Sequence, residues 1–320
     1  MRTRRSQSSS DPVSSPFDKA KAKSEIHAPV LLHETVESLS IASGDIVVDA
    51  TLGGAGHAKG LAEKLGKKGI FIGFDLDPQA IARAKHALVD AKPKVHLVQA
   101  NFRHLEEELA KLGVTNVTRI LFDLGWSAYQ LDSGRGFSFL RGEPLLMTYS
   151  DTVKPDTLTA GKIVNEWGEG SIADVLWGWG EERYSRRIAK AIVERRLRIP
   201  FTTSVELADV IKAAVPVRYR YGRIHPATKT FQALRITVND ELGSLTEGLN
   251  GAWKLLAKGG RIAVITFHSI EDRLVKQAFV EWEKRGEGMR IYKKPLTPTP
   301  EELDKNPRAR SAKLRVIQKL

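Results

Sequence analysis

Three aspartates each close a short apolar run. Asp49 follows Ile46-Val47-Val48, Asp75 follows Ile70-Phe71-Ile72-Gly73-Phe74, and Asp123 follows Ile120-Leu121-Phe122. Such runs, rich in β-branched and aromatic residues, read as strands covered on both faces. An acid at the end of each sets carboxylates along one edge of a sheet, where ligands of open α/β sheets bind. Asp49 leads into Gly53-Gly54-Ala55-Gly56-His57 and a helix with Ala58, Leu61, Ala62 and Leu65 on one face. Glycines there admit φ > 0 and let a ligand approach the main chain. Gly54, Gly56 and Gly60 fit G-x-G-x-x-x-G, and Asp75 lies one helix and one strand further on, where an acid accepts hydrogen bonds from ribose hydroxyls. Two cofactors compete for this pattern, NAD(P) and S-adenosylmethionine. Asp49 would repel a pyrophosphate but suits a sulfonium and an amino group, which favours S-adenosylmethionine. The plain alternative is a tight turn and helix caps with no ligand.

Asp123-Leu124-Gly125-Trp126-Ser127 ends the next apolar run. The exocyclic amine of a base is a poor nucleophile, because its lone pair is delocalised into the ring. An acceptor such as Asp123 can hold the N–H groups and favour sp³ character during a methyl transfer. The rest of the catalysis would be alignment, with no metal required. The competing reading makes Asp123 a strand-end cap and Trp126 core. Phe267-His268-Ser269 ends a further strand. His268 is a candidate proton acceptor, while Ser269 with Asp272 resembles a capping box for the helix that follows.

These groups need a scaffold, and the chain supplies one. Strands at 46–49, 70–75, 95–98, 120–123 and 261–267 alternate with helices, which implies right-handed crossovers and a parallel sheet. Asp77-Pro78 starts one helix as N-cap and first residue. Lys258-Gly259-Gly260 reads as a turn before the fifth strand. Met289–Lys293 and Ala312–Ile317 read as two further strands that pair antiparallel at the sheet edge. Between about Ser133 and His225 strand signals give way to helices, with Thr203-Ser204 before Glu206 as one start. The expected organisation is a basic disordered tail over 1–24, an α/β domain over 25–132 and 226–320, and a helical insert over 133–225 that recognises substrate.

With 320 residues and 42% hydrophobic content, the chain can build a large core. No cysteine is present, so disulfides, thiolate metal sites and cysteine nucleophiles are excluded. No apolar run reaches the roughly 18 residues of a membrane span, which points to a cytoplasmic protein. The net charge of +12 points toward nucleic acid. Residues 181–230 carry twelve Lys/Arg against five Asp/Glu. Arg183, Arg186, Arg187, Arg195 and Arg196, then Arg218, Tyr219, Arg220, Tyr221 and Arg223, and later Arg308, Arg310 and Lys313 offer phosphate contacts and stacking rings suited to structured RNA.

Several segments together resemble the bacterial 16S rRNA N4-cytosine methyltransferase family (RsmH, also called MraW). They are His27–Glu34, Gly53–His57, Asp75-Leu76-Asp77-Pro78, Asp123-Leu124-Gly125, Gln130-Leu131-Asp132, Arg135–Phe139, His225–Arg235, Phe267–Arg273 and Asn306–Ser311. The resemblance runs over roughly 26–320. It implies a class I S-adenosylmethionine-dependent methyltransferase fold, a Rossmann-like doubly wound α/β sheet whose last strand pair is antiparallel, carrying an inserted helical domain. It implies methylation of a cytidine N4 in the decoding centre of small-subunit rRNA, and the large basic surface with its long insert suits a folded target, the assembled small ribosomal subunit. The family's cofactor positions fall on Ala55, Gly56, His57, Asp75, Phe102, Asp123 and Gln130, with Asp123 also the catalytic candidate. The absence of cysteine agrees, since C5-cytosine methylation uses a cysteine nucleophile. The chain departs from the family pattern at Trp126, Ala128 and Tyr129, at Ala55 in place of a glycine, and at Leu146 and Thr148, where an acid and an arginine are usual. A non-catalytic or altered-specificity ribosome-assembly factor of the same fold is the alternative. Oligomeric state stays open between monomer and homodimer.

Overall fold

The structure is a computed structural model that describes residues 29–125 and 128–320, except the side chains of Ala128 and Gln130. The expected basic tail, His27, Ala28, Trp126 and Ser127 lie outside the described residues. In chain order the elements are α1 (Leu32–Leu39), β1 (Ile46–Asp49), α2 (Gly56–Lys64), β2 (Ile70–Asp75), α3 (Pro78–Ala87), β3 (Lys94–Gln99), α4 (Leu105–Lys111), β4 (Val117–Asp123) and α5 (Ala128–Leu131). Then follow α6 (Ala160–Glu166), α7 (Glu169–Gly180), α8 (Ser185–Arg196), α9 (Ser204–Ala214), α10 (Val217–Arg220), α11 (Thr228–Asn239) and α12 (Glu241–Leu255). The chain closes with β5 (Leu256–Thr266), α13 (Ser269–Lys284), β6 (Gly288–Arg290), α14 (Pro300–Lys305) and β7 (Lys313–Lys319).

The seven strands form one sheet in the order β3-β2-β1-β4-β5-β7-β6. β1 lies between β2 and β4, parallel to both, and β5 joins β4 in parallel. β7 runs antiparallel to both β5 and β6. This order, with the antiparallel hairpin at one edge, is the class I methyltransferase arrangement. The strand order reverses at β1 and β4, so their carboxyl ends border the ligand-binding crevice of such sheets.

Local chemistry explains the elements. Val47, Val48, Phe71, Ile72, Ile120 and Leu121 are fully buried, as continuous apolar strands between two helical layers require. Each such side chain contributes roughly 1.5–3 kcal/mol on burial. One face of the sheet packs on α2 and α3, the other on α4, α12 and α13. Asp77 caps α3 by accepting from Gln79 N–H, with Pro78 in the first turn. Thr203 and Glu206 form the capping box of α9. The start of α13 differs from expectation: His268, not Ser269, is the N-cap, and Glu271, not Asp272, closes the box. The imidazole nitrogen reaches the Glu271 N–H as a hydroxyl would, which frees Ser269 to donate to Glu181 at 2.7 Å. Lys258-Gly259-Gly260 likewise is no turn between elements. It bulges inside β5: Leu256 pairs with Val117 and Arg261 with Arg119, and Gly259 at φ +73° takes up the extra residues.

The helical segment has its own core. Ile163, Ile172, Leu176, Ile188, Ile192, Leu207 and Ile211 interlock there, and Ala227 with Phe231, Ala233 and Leu234 of α11 joins them. Glu181 at the end of α7 binds Ser269 and Arg273 of α13, both at 2.7 Å, and so ties this core to the sheet layers.

Candidate active site

A cleft opens across the carboxyl ends of β1, β2 and β4. Thr51, Gly53, Asp75, Phe102, Asp123 and Gly125 line its sheet side, and Tyr149, Asn239, Glu241 and Glu271 line the opposite side. Among the described residues, none that lines it is Lys or Arg. The cleft therefore suits a cation and offers nothing to neutralise a pyrophosphate.

Asp75 organises the floor. Its Oδ2 accepts from Gly53 N–H at 2.8 Å and its Oδ1 from Asp77 N–H at 2.9 Å. Burial pushes its carboxyl above the ordinary range, and the two backbone N–H groups only partly offset this. Each oxygen keeps a further lone pair for a diol. Gly53, at φ +49°, offers its carbonyl to Arg83 Nε at 3.3 Å, so its peptide neighbours are held from two sides. Phe102 packs edge-on against Phe122 at 5.5 Å between centroids. Gly248 of α12 makes room for it, since a Cβ there would sit 2.6 Å from the Phe102 ring. Thr51 accepts from Asp123 N–H at 2.7 Å, which fixes the tip of β4 to the loop after β1.

Two residues behave otherwise than the sequence suggests. Asp49 does not reach the cleft: it is fully buried beneath the loop. Its Oδ1 accepts from Thr51 N–H at 3.0 Å, which turns the side chain inward, and burial pushes its pKa up to about 7. His268 is occupied as the cap of α13, with Nδ1 accepting from Glu271 N–H. Glu241, His268 and Glu271 bring donor atoms within 4.8 Å of one another. Each is already engaged: Glu271 accepts from Phe267 N–H, and Glu241 is bound by Arg235 and Tyr149.

The cleft's far side was not legible in the sequence. Tyr149 donates to Glu241 Oε1 at 2.7 Å, and Arg235 meets the same carboxylate at 2.8 and 2.9 Å. Burial holds the Tyr149 hydroxyl protonated far beyond its ordinary range. Asn239 accepts from Tyr149 N–H and donates to Met147 C=O, both at 2.8 Å, which pins the loop to α11. At the positions where the family usually has an acid and an arginine, Leu146 is partly buried and Thr148 buried, its hydroxyl donating to Ser150 C=O.

Of the residues expected to hold a cofactor, Asp75, Phe102 and Asp123 share the cleft wall. Ala55, Gly56 and His57, at the end of the glycine loop and the start of α2, are not among the described residues that line it. Ala55 is buried at φ +63°, and a Cβ on Gly56 would meet the Pro29 ring at 3.0 Å. The backbone of Gln130 lies in α5, and its side chain is outside the described part. The basic residues also sort themselves. Arg195 and Arg196 donate to main-chain carbonyls of their own unit, Arg220 does the same, and Lys313 binds Asp272. Arg186, Arg187, Arg218, Arg223, Arg308 and Arg310 are exposed, with Tyr221 at 82% exposure among them.

The model of the MraW methylase family matches residues 24–320. The chain is 43% identical over 310 residues to the ribosomal RNA small subunit methyltransferase H of Clostridioides difficile, covering 92% of this chain and 99% of that one. It is 45% identical over 312 residues to the protein of the same name from Heliobacterium modesticaldum, covering 92% and 98%. Among solved structures, an rRNA methylase from Streptococcus thermophilus overlaps 97% of this chain and 99% of its own, at 13% identity and a TM-score of 0.43. The fold assignment rests on the strand order itself. With a match across nearly the whole sequence and close relatives of equal length, the chain belongs to the MraW methylase family, S-adenosylmethionine-dependent methyltransferases of ribosomal RNA.

Proposed function

We propose that the protein methylates the N4 amine of a cytidine in the decoding centre of small-subunit rRNA, acting on the assembled small subunit. The observation that carries this reading is a cleft walled by Asp75 and Asp123, with no Lys or Arg among the described residues that line it. S-adenosylmethionine, when bound, supplies a methyl group on a cationic sulfur. Asp75 is placed to accept hydrogen bonds from the ribose hydroxyls, and the loop at Gly53 to approach the methionine part. Gln130, by analogy with the family, would complete the cofactor site with Ala55, Gly56, His57 and Phe102. Asp123 would hold the target amine, draw its lone pair out of the ring and orient it for in-line attack. The pinned Tyr149–Glu241 pair would bound the base.

The helical unit over 133–225 is read as the part that recognises RNA. Arg183 lies 4.9 Å from both the Tyr184 and Tyr219 ring centroids, and Arg218, Tyr221 and Arg223 stand exposed beside it. A large basic surface suits a folded target better than a short strand. The uncharged Leu146 and Thr148 favour a second reading, an assembly factor of this fold with altered specificity or no activity. Mass spectrometry of rRNA from a strain lacking the gene decides between them. Loss of one N4-methylcytidine, restored by the purified protein on small subunits, supports the enzyme; unchanged modification would leave only the binding role.

A further inference from the structure

His57 sits 5% exposed, behind the cleft wall and outside its lining. Its ring meets an acceptor at each nitrogen. Nε2 is 3.0 Å from Val30 C=O and Nδ1 is 3.2 Å from Asp123 Oδ2. A carbonyl and a carboxylate both only accept. A neutral imidazole has one N–H and would aim a lone pair at one of them, whereas an imidazolium serves both. Four titratable groups face one another here: Asp49 from β1, Asp75 from β2, Asp123 from β4 and His57 from α2. Asp49 adds weight, since its Oδ2 is buried with no hydrogen-bond partner among the described residues. Where Asp49 is ionised, its charge faces the ring and favours the imidazolium.

We propose that His57 is a positioning residue for Asp123, acting as a buried imidazolium that clamps Oδ2 and leaves Oδ1 to the cleft. This rests on the reading of the cleft as the methyl-donor site. Oδ1 takes only the long 3.5 Å bond from Gly125 N–H among the described residues. A charge-assisted bond holds the carboxylate more firmly than a neutral one. The carboxylate facing the cleft is thus fixed from behind, on the oxygen turned away from it. Burial alone lowers the ring's pKa, but Asp123, Asp49 and the Val30 carbonyl together raise it above the ordinary value.

Nitrogen-15 NMR of the ring in the protein without cofactor tests the charge directly. At pH 7.5 an ordinary imidazole of pKa about 6.5 is only about one-tenth protonated. His57 is expected to show both nitrogens protonated at that pH, and a neutral ring would overturn the proposal. This result stands whether or not the cleft binds a methyl donor. Calorimetry with S-adenosylmethionine then reads the consequence. In His57→Gln the affinity should fall several-fold at pH 5.5, where the wild-type ring is charged, and less at pH 8.5, where that ring starts to give up its proton and with it the same charge-assisted bond. A purely structural role would weaken binding by the same factor at both pH values, and that outcome too would overturn the assignment.

Discussion

A carboxylate buried at a strand tip destabilises the fold unless a partner answers its charge. Asp49 shows the balance. Burial raises its pKa from 3.8 to about 7, with the charge of His57 pulling the other way. The folded state therefore holds a proton that the unfolded chain releases near pH 4. Stability from this group is complete below pH 3.8 and is lost as pH rises toward about 7. A shift from 3.8 to about 7, in which the opposing charge of His57 is already counted, is worth at most about 4 kcal/mol. Asp49→Asn removes the titration, so the variant should gain on the wild type as pH rises from 4.5 to 7.5. Urea midpoints at the two pH values check this, and an unchanged gap would refute it. At this scale Asp75 and Asp123 were readable, because a strand-end acid is a local pattern, whereas Phe102 was indicated only by the family resemblance. Tyr149 and Glu241 were not, since their bond joins residues 92 apart in sequence. Asp49 misled for a related reason: the pattern places an acid at a tip but does not say which way it turns.

Between elements, ion pairs decide how the edge hairpin is held. Asp272 of α13 meets Arg315 of β7 at 2.7 and 3.2 Å, and Lys313 at 3.0 Å. Both Asp272 and Arg315 are 8% exposed. Burial pushes the Asp272 carboxyl up, but Arg315 and Lys313 more than offset this and bring it below the ordinary value. Its stability contribution is present above pH 3.8 and is lost as pH falls through the lower folded value. Arg315→Met leaves a buried carboxylate with one partner, half exposed, and should destabilise by about 3 kcal/mol. Chemical denaturation checks this, and a loss under about 1 kcal/mol would show that Lys313 suffices. The elements themselves were largely visible: apolar runs marked β1, β2 and β4, and Asp77-Pro78 and Thr203 marked helix starts. The bulge at Gly259 and the His268 cap were not. A bulge depends on the partner strand's register, and a histidine cap is rare enough that the adjacent serine is the natural expectation.

For the whole molecule, the excess of positive charge is its clearest long-range property, with 50 Lys/Arg against 38 Asp/Glu. The folded chain consumes part of it internally, as Arg195, Arg196 and Arg220 show. The exposed remainder is what a phosphate backbone would meet. Arg218→Ala with Arg223→Ala should weaken binding to small subunits and flatten its salt dependence by about one unit of log–log slope per arginine. Affinity for S-adenosylmethionine should stay as in the wild type, and a matching loss of both would show that the pair supports the fold rather than RNA. Composition indicated this partner class, while which arginines remain free depended on packing that no local pattern records.

A cationic methyl donor is expected to lie across the tips of β1, β2 and β4. A co-crystal structure with S-adenosylhomocysteine tests it most directly. The ribose should lie on the Asp75 carboxylate, the adenine near Phe102 and the sulfur on the Asp123 side. An empty cleft, or the ligand bound elsewhere with Asp75 untouched, would contradict it.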